Sequence, residues 1–234
     1  MKKTGEIEKL AKFGCEFCKR EFLRESTIQR HICEYKHRWL EKDRHGNRIG
    51  FQSWLQFYKK NSPGKKNRTY LEFIKSAYYT AFVKFGTYCT EVNVINVSRY
   101  ADWLLKNQIR IDAWNSDETY TKFLIEYLRE EDPLDAISRS VETTAALSLT
   151  ENIQCSDFLR YGNRHKICYA ITNGKISPWM LYQSESGTQF LSELDETQVK
   201  MVIDYINPEL WAIKFRRDAK SAIQVKELLN AAGY

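Results

Sequence analysis

Two cysteines, Cys15 and Cys18, stand two residues apart; His31 follows after twelve more residues and His37 after a further five. Four such donors in so short a span restrict what the segment can become. Zinc takes four nitrogen or sulfur ligands in a tetrahedron, and two cysteines at this spacing can offer both thiolates from one tight turn. Residues 13–22 are therefore expected to form a small hairpin around Cys15 and Cys18. A long helix is expected from about Glu25 to Asp43, where His45-Gly46-Asn47 breaks it. On that helix His31 and His37 lie about 240° apart, so its last turn must loosen for both to reach a metal. Cys33, two residues after His31, falls on a different helix face and is left out of the ligand set. Roughly 25 residues cannot bury an adequate core alone, and metal binding would supply folding energy on the order of 10 kcal/mol. Catalytic zinc keeps a position open for water. Here Cys15, Cys18, His31 and His37 fill all four, so one structural Zn2+ is expected. The alternative is a chance spacing in a helical protein.

The pattern resembles the Cys2His2 zinc-finger family. Phe13 lies two residues before the first cysteine, Phe22 four after the second and Ile28 six beyond that, at the positions of the family's small core. The resemblance implies a ββα module. In DNA-reading members, helix positions −1, 3 and 6 contact successive bases. Carried over, these are Arg24, Thr27 and Arg30, with Ser26 beside them. Arginine can grip guanine with a fork of two hydrogen bonds, while Lys36 and Arg38, with Lys19 and Arg20, would meet phosphates. The alternative for Arg24 and Arg30 is a solvated helix face. One finger covers about 3 base pairs, so help is expected from Lys2, Lys3, Lys9 and Lys12, or from residues 59–68. The five-residue histidine gap is also similar to the U1/matrin type, whose members often bind double-stranded RNA or proteins. "HICEYKHRW" departs from that type in lacking its Gly-Lys-Lys-His segment. More loosely, "FLRYGNRHKICYAI" and "GKISPWMLY" resemble uncharacterised zinc-finger proteins of large tailed bacteriophages, which implies a phage setting and no mechanism.

Charge is unevenly placed. Residues 1–68 hold 18 Lys and Arg against 8 Asp and Glu, whereas the remainder holds 18 against 22. A basic segment attracts polyanions through counterion release, although a solvated lysine-rich surface has the same composition. No run of 18 uncharged apolar residues is present, so no membrane span is expected. The opening "MKKTGEIEKLAKFG" lacks the apolar stretch of a secretory leader. The expected location is the cytoplasm, of an infected host cell if phage-encoded. Buried free thiols are expected at the scattered cysteines, with a Cys155–Cys168 disulfide as the alternative.

The fold class expected is mainly α: a finger over 1–45, a basic linker or helix over 46–68, and a mainly helical domain over 69–234 carrying one late β-hairpin near 164–183. Residues 69–89 have apolar positions recurring at three and four. Ser98 is a candidate N-cap, and Asp132-Pro133 and Asn207-Pro208 are helix starts. Asn173-Gly174 between two apolar runs signals the hairpin. Trp179, Tyr182, Phe190 and Trp211 read as core. No Walker loop, dinucleotide fingerprint or nucleophile elbow occurs, and no catalytic residue is assigned. Asp157 and His165 could serve a phosphodiester-cutting site, but a satisfied polar segment explains them as well. The expectation is a non-enzymatic, zinc-dependent protein that binds DNA, or double-stranded RNA. Its helical domain would engage a protein partner or a second copy. The alternative is an assembly factor that docks through its finger.

Overall fold

The computed structural model describes residues 13–62, 64 and 68–234. The basic residues Lys2, Lys3, Lys9 and Lys12, and residues 63 and 65–67 of the loop after Asn61, lie outside them. The chain is mainly α-helical, and the described residues form one two-stranded antiparallel sheet near the N-terminus. It divides into two compact units, Met1–Asn115 and Ser116–Tyr234. Residues 46–68, the expected linker, lie within the first of these units.

In the first unit, β1 (Phe13–Gly14) pairs with β2 (Glu21–Phe22), with Phe13 opposite Phe22. Two short helices follow, α1 (Glu25–Arg30) and α2 (Glu34–Leu40). Helix α3 (His45–Asn61) takes up most of the expected linker and buries Ser53 and Trp54. Residues 69–89 break into α4 (Tyr70–Lys75) and α5 (Tyr79–Glu91). A capping box between Thr69 and Glu72 starts the first, and extended backbone at Ser76 ends it. Helix α6 (Val97–Lys106) starts at Asn96, whose side chain accepts from the Arg99 N–H. Asn96, not Ser98, is thus the cap.

Glycines set how closely α3 and α5 approach. A Cβ on Gly86 would lie 1.9 Å from the Gly46 carbonyl oxygen and 2.7 Å from the Gly50 nitrogen. The backbones touch where only hydrogen fits. Around this crossing lies an aromatic core that includes Trp54, Phe73, Phe82, Phe85 and Trp114. Trp114 meets Phe82 and Phe85 edge-on at 5.4 and 5.2 Å, an arrangement the ring quadrupoles favour.

The second unit holds α7 (Asp117–Glu130), α8 (Pro133–Glu151), α9 (Phe158–Tyr161), α10 (Arg164–Thr172), α11 (Pro178–Gln183), α12 (Glu185–Ser192), α13 (Glu196–Ile206), α14 (Pro208–Arg217) and α15 (Ala219–Ala231). Asp132 and Asn207 cap helices that open on proline, as expected. The late β-hairpin does not form. Gly174 has φ 68°, which suits a hairpin turn and a helix stop equally well. Here it stops α10: the Gly174 N–H donates to Ile171 and the Lys175 N–H to Ala170, both at 2.8 Å. Pro178 then opens a helix capped by Ser177 instead of limiting a strand. Trp179, Phe190 and Trp211 are buried, and the Tyr182 hydroxyl donates to the Ile206 carbonyl. The first three belong to the core, and Tyr182 is half-buried at its edge.

Glu131 is also buried here. Arg139 holds its carboxylate at 2.6 Å, and the Ser177 hydroxyl donates to it at 3.1 Å. Arg139 Nε also donates to the Gly174 carbonyl at 2.8 Å. This one ion pair ties the end of α7 to α8 and to the turn before α11. All six cysteines are free thiols, Cys155 and Cys168 included.

Candidate metal centre

The segment that carries Cys15, Cys18, His31 and Cys33 is built from a turn, a helix and a break. Between the two strands the chain reverses through Lys19, which sits at φ 61°. The Cys15 N–H donates to the Arg20 carbonyl at 2.9 Å and the Lys19 N–H to the Cys15 carbonyl at 2.8 Å. The reversal brings both sulfurs to one side. Helix α1 then carries His31 back, and the His31 ring lies 4.7 Å from that of Phe22. Phe13, Phe22 and Ile28, the expected core positions, are each half-buried.

The long helix expected over 25–43 is interrupted. His31 has ψ 117° and Cys33 ψ 166°, so the backbone is extended at both. Along extended backbone, residues two apart point to the same side; on a helix they would be about 200° apart. The break therefore turns Cys33 toward the metal position. Its sulfur also caps α2, accepting from the Lys36 N–H at 3.4 Å. The Lys36 ammonium donates to the His31 carbonyl at 3.1 Å, occupying a carbonyl at the end of α1.

The result is a cluster of Cys15, Cys18, His31 and Cys33, whose ligand atoms all lie within 4.8 Å of one another. His37 is outside it. Its side chain is 61% exposed, with Nδ1 3.5 Å from Glu41. Three of the four residues singled out by spacing come together, and the fourth place is held by the cysteine that helix periodicity set aside. The signal for it is the His-x-Cys pair, which needs extended backbone to be read.

The donor set fits a metal ion. A tetrahedron with zinc-to-sulfur bonds of about 2.3 Å has sulfur–sulfur edges of about 3.8 Å and sulfur–nitrogen edges of about 3.5 Å. Here Cys15 Sγ is 3.9 Å from Cys33 Sγ, and Cys18 Sγ is 3.3 Å from His31 Nε2. Burial pushes the Cys15 thiol up, but the N–H groups of Cys18 and Phe17 and the neighbouring thiols bring it below its ordinary value. For Cys18, the Arg20 N–H lowers the thiol, and desolvation together with Cys15 and Cys33 raises it further than that.

The segment is fastened to the helices of its unit. Arg38 donates to the Ile74 carbonyl at 2.7 Å, pairs with Glu34 and lies 4.3 Å over the Tyr79 ring. Trp39 lies 6.0 Å from Phe17 and 5.8 Å from Tyr70. Asn47 of α3 donates to the Glu41 carbonyl at 2.9 Å. Arg38, expected at a phosphate, is thus engaged within the fold, and Lys36 is half-buried. Arg24, Ser26, Thr27 and Arg30 are exposed. With Phe22 and His31 they line a shallow depression of about 490 Å3.

Around His165 the polar groups are engaged elsewhere: Asp157 pairs with Arg160 at 3.5 Å and Arg164 pairs with Glu193. None of the helices among the described residues is long and apolar enough to cross a membrane. Comparison with protein-family models, with curated proteins and with solved structures yields no match to the chain.

Proposed function

We propose that the protein is a zinc-dependent nucleic-acid-binding protein, directed to DNA before RNA, in which the metal has a structural role. The observation that carries this is the adjacency of two features. The Cys3His cluster suits zinc, and the helix that delivers His31 presents Arg24, Ser26, Thr27 and Arg30 to solvent. Thiolate and imidazole donors in a tetrahedral set are typical of structural zinc, and four protein ligands leave no place for a reactive water. Exposed arginines can meet phosphates or guanine edges. The unit carrying this face holds 23 Lys and Arg against 12 Asp and Glu, and the other holds 13 against 18. The acidic unit is assigned to a protein partner or a second copy.

The test is fluorescence anisotropy with the zinc-loaded full chain and a labelled duplex of about 20 base pairs. Binding is expected to weaken steeply between about 50 and 200 mM salt. It should weaken further with Arg24→Ala/Arg30→Ala while zinc content is retained. No binding at the lower salt would sink the proposal. A second reading draws on Leu23, Ile32 and Leu40, which are 64%, 63% and 62% exposed. These would suit a docking finger of a phage-type assembly. In that case polar substitutions at the three positions, and not at the arginines, would cost the protein its partner.

A further inference from the structure

Helices α3 and α6 enclose a second groove, of about 420 Å3, lined by His45, Arg48, Ile49, Gln52, Gln56 and Ser98 among others. The stripe His45, Arg48, Gln52, Gln56 follows a spacing of three, four and four, which keeps it on one face of α3. It extends over eleven residues, a length of about 16 Å. Every polar group on this stripe can donate a hydrogen bond. Gln56 Nε2 donates to Ser98 Oγ at 2.6 Å, which leaves the serine hydroxyl hydrogen free to point elsewhere. Arg48 is exposed, with one guanidinium nitrogen 3.4 Å from His45 Nδ1. Helix α3 contains no Asp or Glu, and neither α3 nor α6 has an acid in its first turn. The first residue of α3, His45, and the first two of α6, Val97 and Ser98, are among the lining, and helix N-terminal ends carry partial positive charge. Ile49 and Val97 supply an apolar floor.

We infer that this groove holds the phosphodiester backbone of a nucleic acid. The inference rests on the proposed function and adds to it a second contact site, one that reads charge and shape and carries no base specificity. The lining residues include no carboxylate, although the exposed Asp102 stands one turn beyond Ser98 on α6; such donors, on a floor that tolerates sugar C–H groups, are complementary to a polyanionic backbone. A cationic ligand would leave the Arg48 charge unpaired.

The test compares three full-length zinc-loaded proteins on the same labelled duplex: the parent, Arg48→Ala/Gln52→Ala, and Arg24→Ala/Arg30→Ala. The groove variant is expected to lose about tenfold in affinity at low salt. The loss should be equal on unrelated sequences, and the slope of log affinity against log salt should fall by about 0.9 for each phosphate contact removed. Arg48→Lys should restore most of the affinity, since a point charge suffices for phosphate. Both positions are exposed, so unchanged melting temperature and zinc content serve as controls. A groove variant that binds like the parent while the arginine variant of α1 weakens would overturn the groove site and leave the finger reading standing. The reverse pattern would support the groove and remove the finger's role. A parent protein that binds no duplex at low salt overturns both.

Discussion

Helices α1 and α2, which surround the cysteine cluster, bury none of their residues completely. Helix α11, six residues long like α1, buries Pro178, Trp179, Met180 and Leu181. Both are too short to persist alone. Removal of large apolar side chains from water holds α11, whereas α1 buries nothing and ends on His31, part of a cluster that could hold a metal ion. The contrast teaches that a helix can be placed either by what it buries or by what it ligates. A chelator should separate the two cases where a denaturant would not.

The largest effect expected is on the ligated side. Cys33→Ala should lower zinc affinity by more than the roughly 100-fold that follows loss of an outer-shell partner, whereas His37→Ala should leave it unchanged. Metal titration against a chromophoric chelator decides, and equal losses in both variants would break the comparison. Next comes the helix crossing. Gly86→Ala forces a methyl group onto the Gly46 carbonyl, and urea unfolding should show a loss on the order of 4 kcal/mol in the first unit. On the buried side, Arg139→Met strands the Glu131 carboxylate and should cost about 3–5 kcal/mol. Adding Glu131→Leu should recover most of this, and a double variant as unstable as the single one would contradict the account.

The smallest effect is a pH dependence. Lys166 and the Asn163 N–H hold the Glu151 carboxyl below its ordinary value of 4.5, and Lys214 does the same for Asp218. Lowered folded values mean that the stabilisation is fully present above the unfolded carboxylate range. It is lost as pH falls through the folded values. Melting temperature should therefore decline on acidification, slightly less so in Lys166→Ala.

Much of the helical body could be read from its punctuation. Asp132-Pro133 and Asn207-Pro208 stand at helix starts, and Trp179 and Trp211 are recognisable as core. Where the reading differed from the structure, one local signal had two uses. Gly174 at positive φ serves a hairpin or a helix stop, and only the hydrogen bonds back to Ile171 and Ala170 decide between them. At the metal centre the ambiguity was periodicity itself. His31 and Cys33 diverge if the helix continues and converge if it breaks, and residue type alone does not announce the break. Cys33 supplies part of the cause, because its sulfur caps the next helix. The α3–α5 contact was hidden for another reason: Gly46, Gly50 and Gly86 mean little one by one, and close approach becomes visible only when the two helices are laid together.

The position of Trp39 has an optical consequence. Its indole lies near both Phe17, from the turn between Cys15 and Cys18, and Tyr70, from the helical body. Any change in ligation that shifts the turn alters the surroundings of a fluorophore already in place. The state of the cluster is in this way written into the emission of a native residue, without a label.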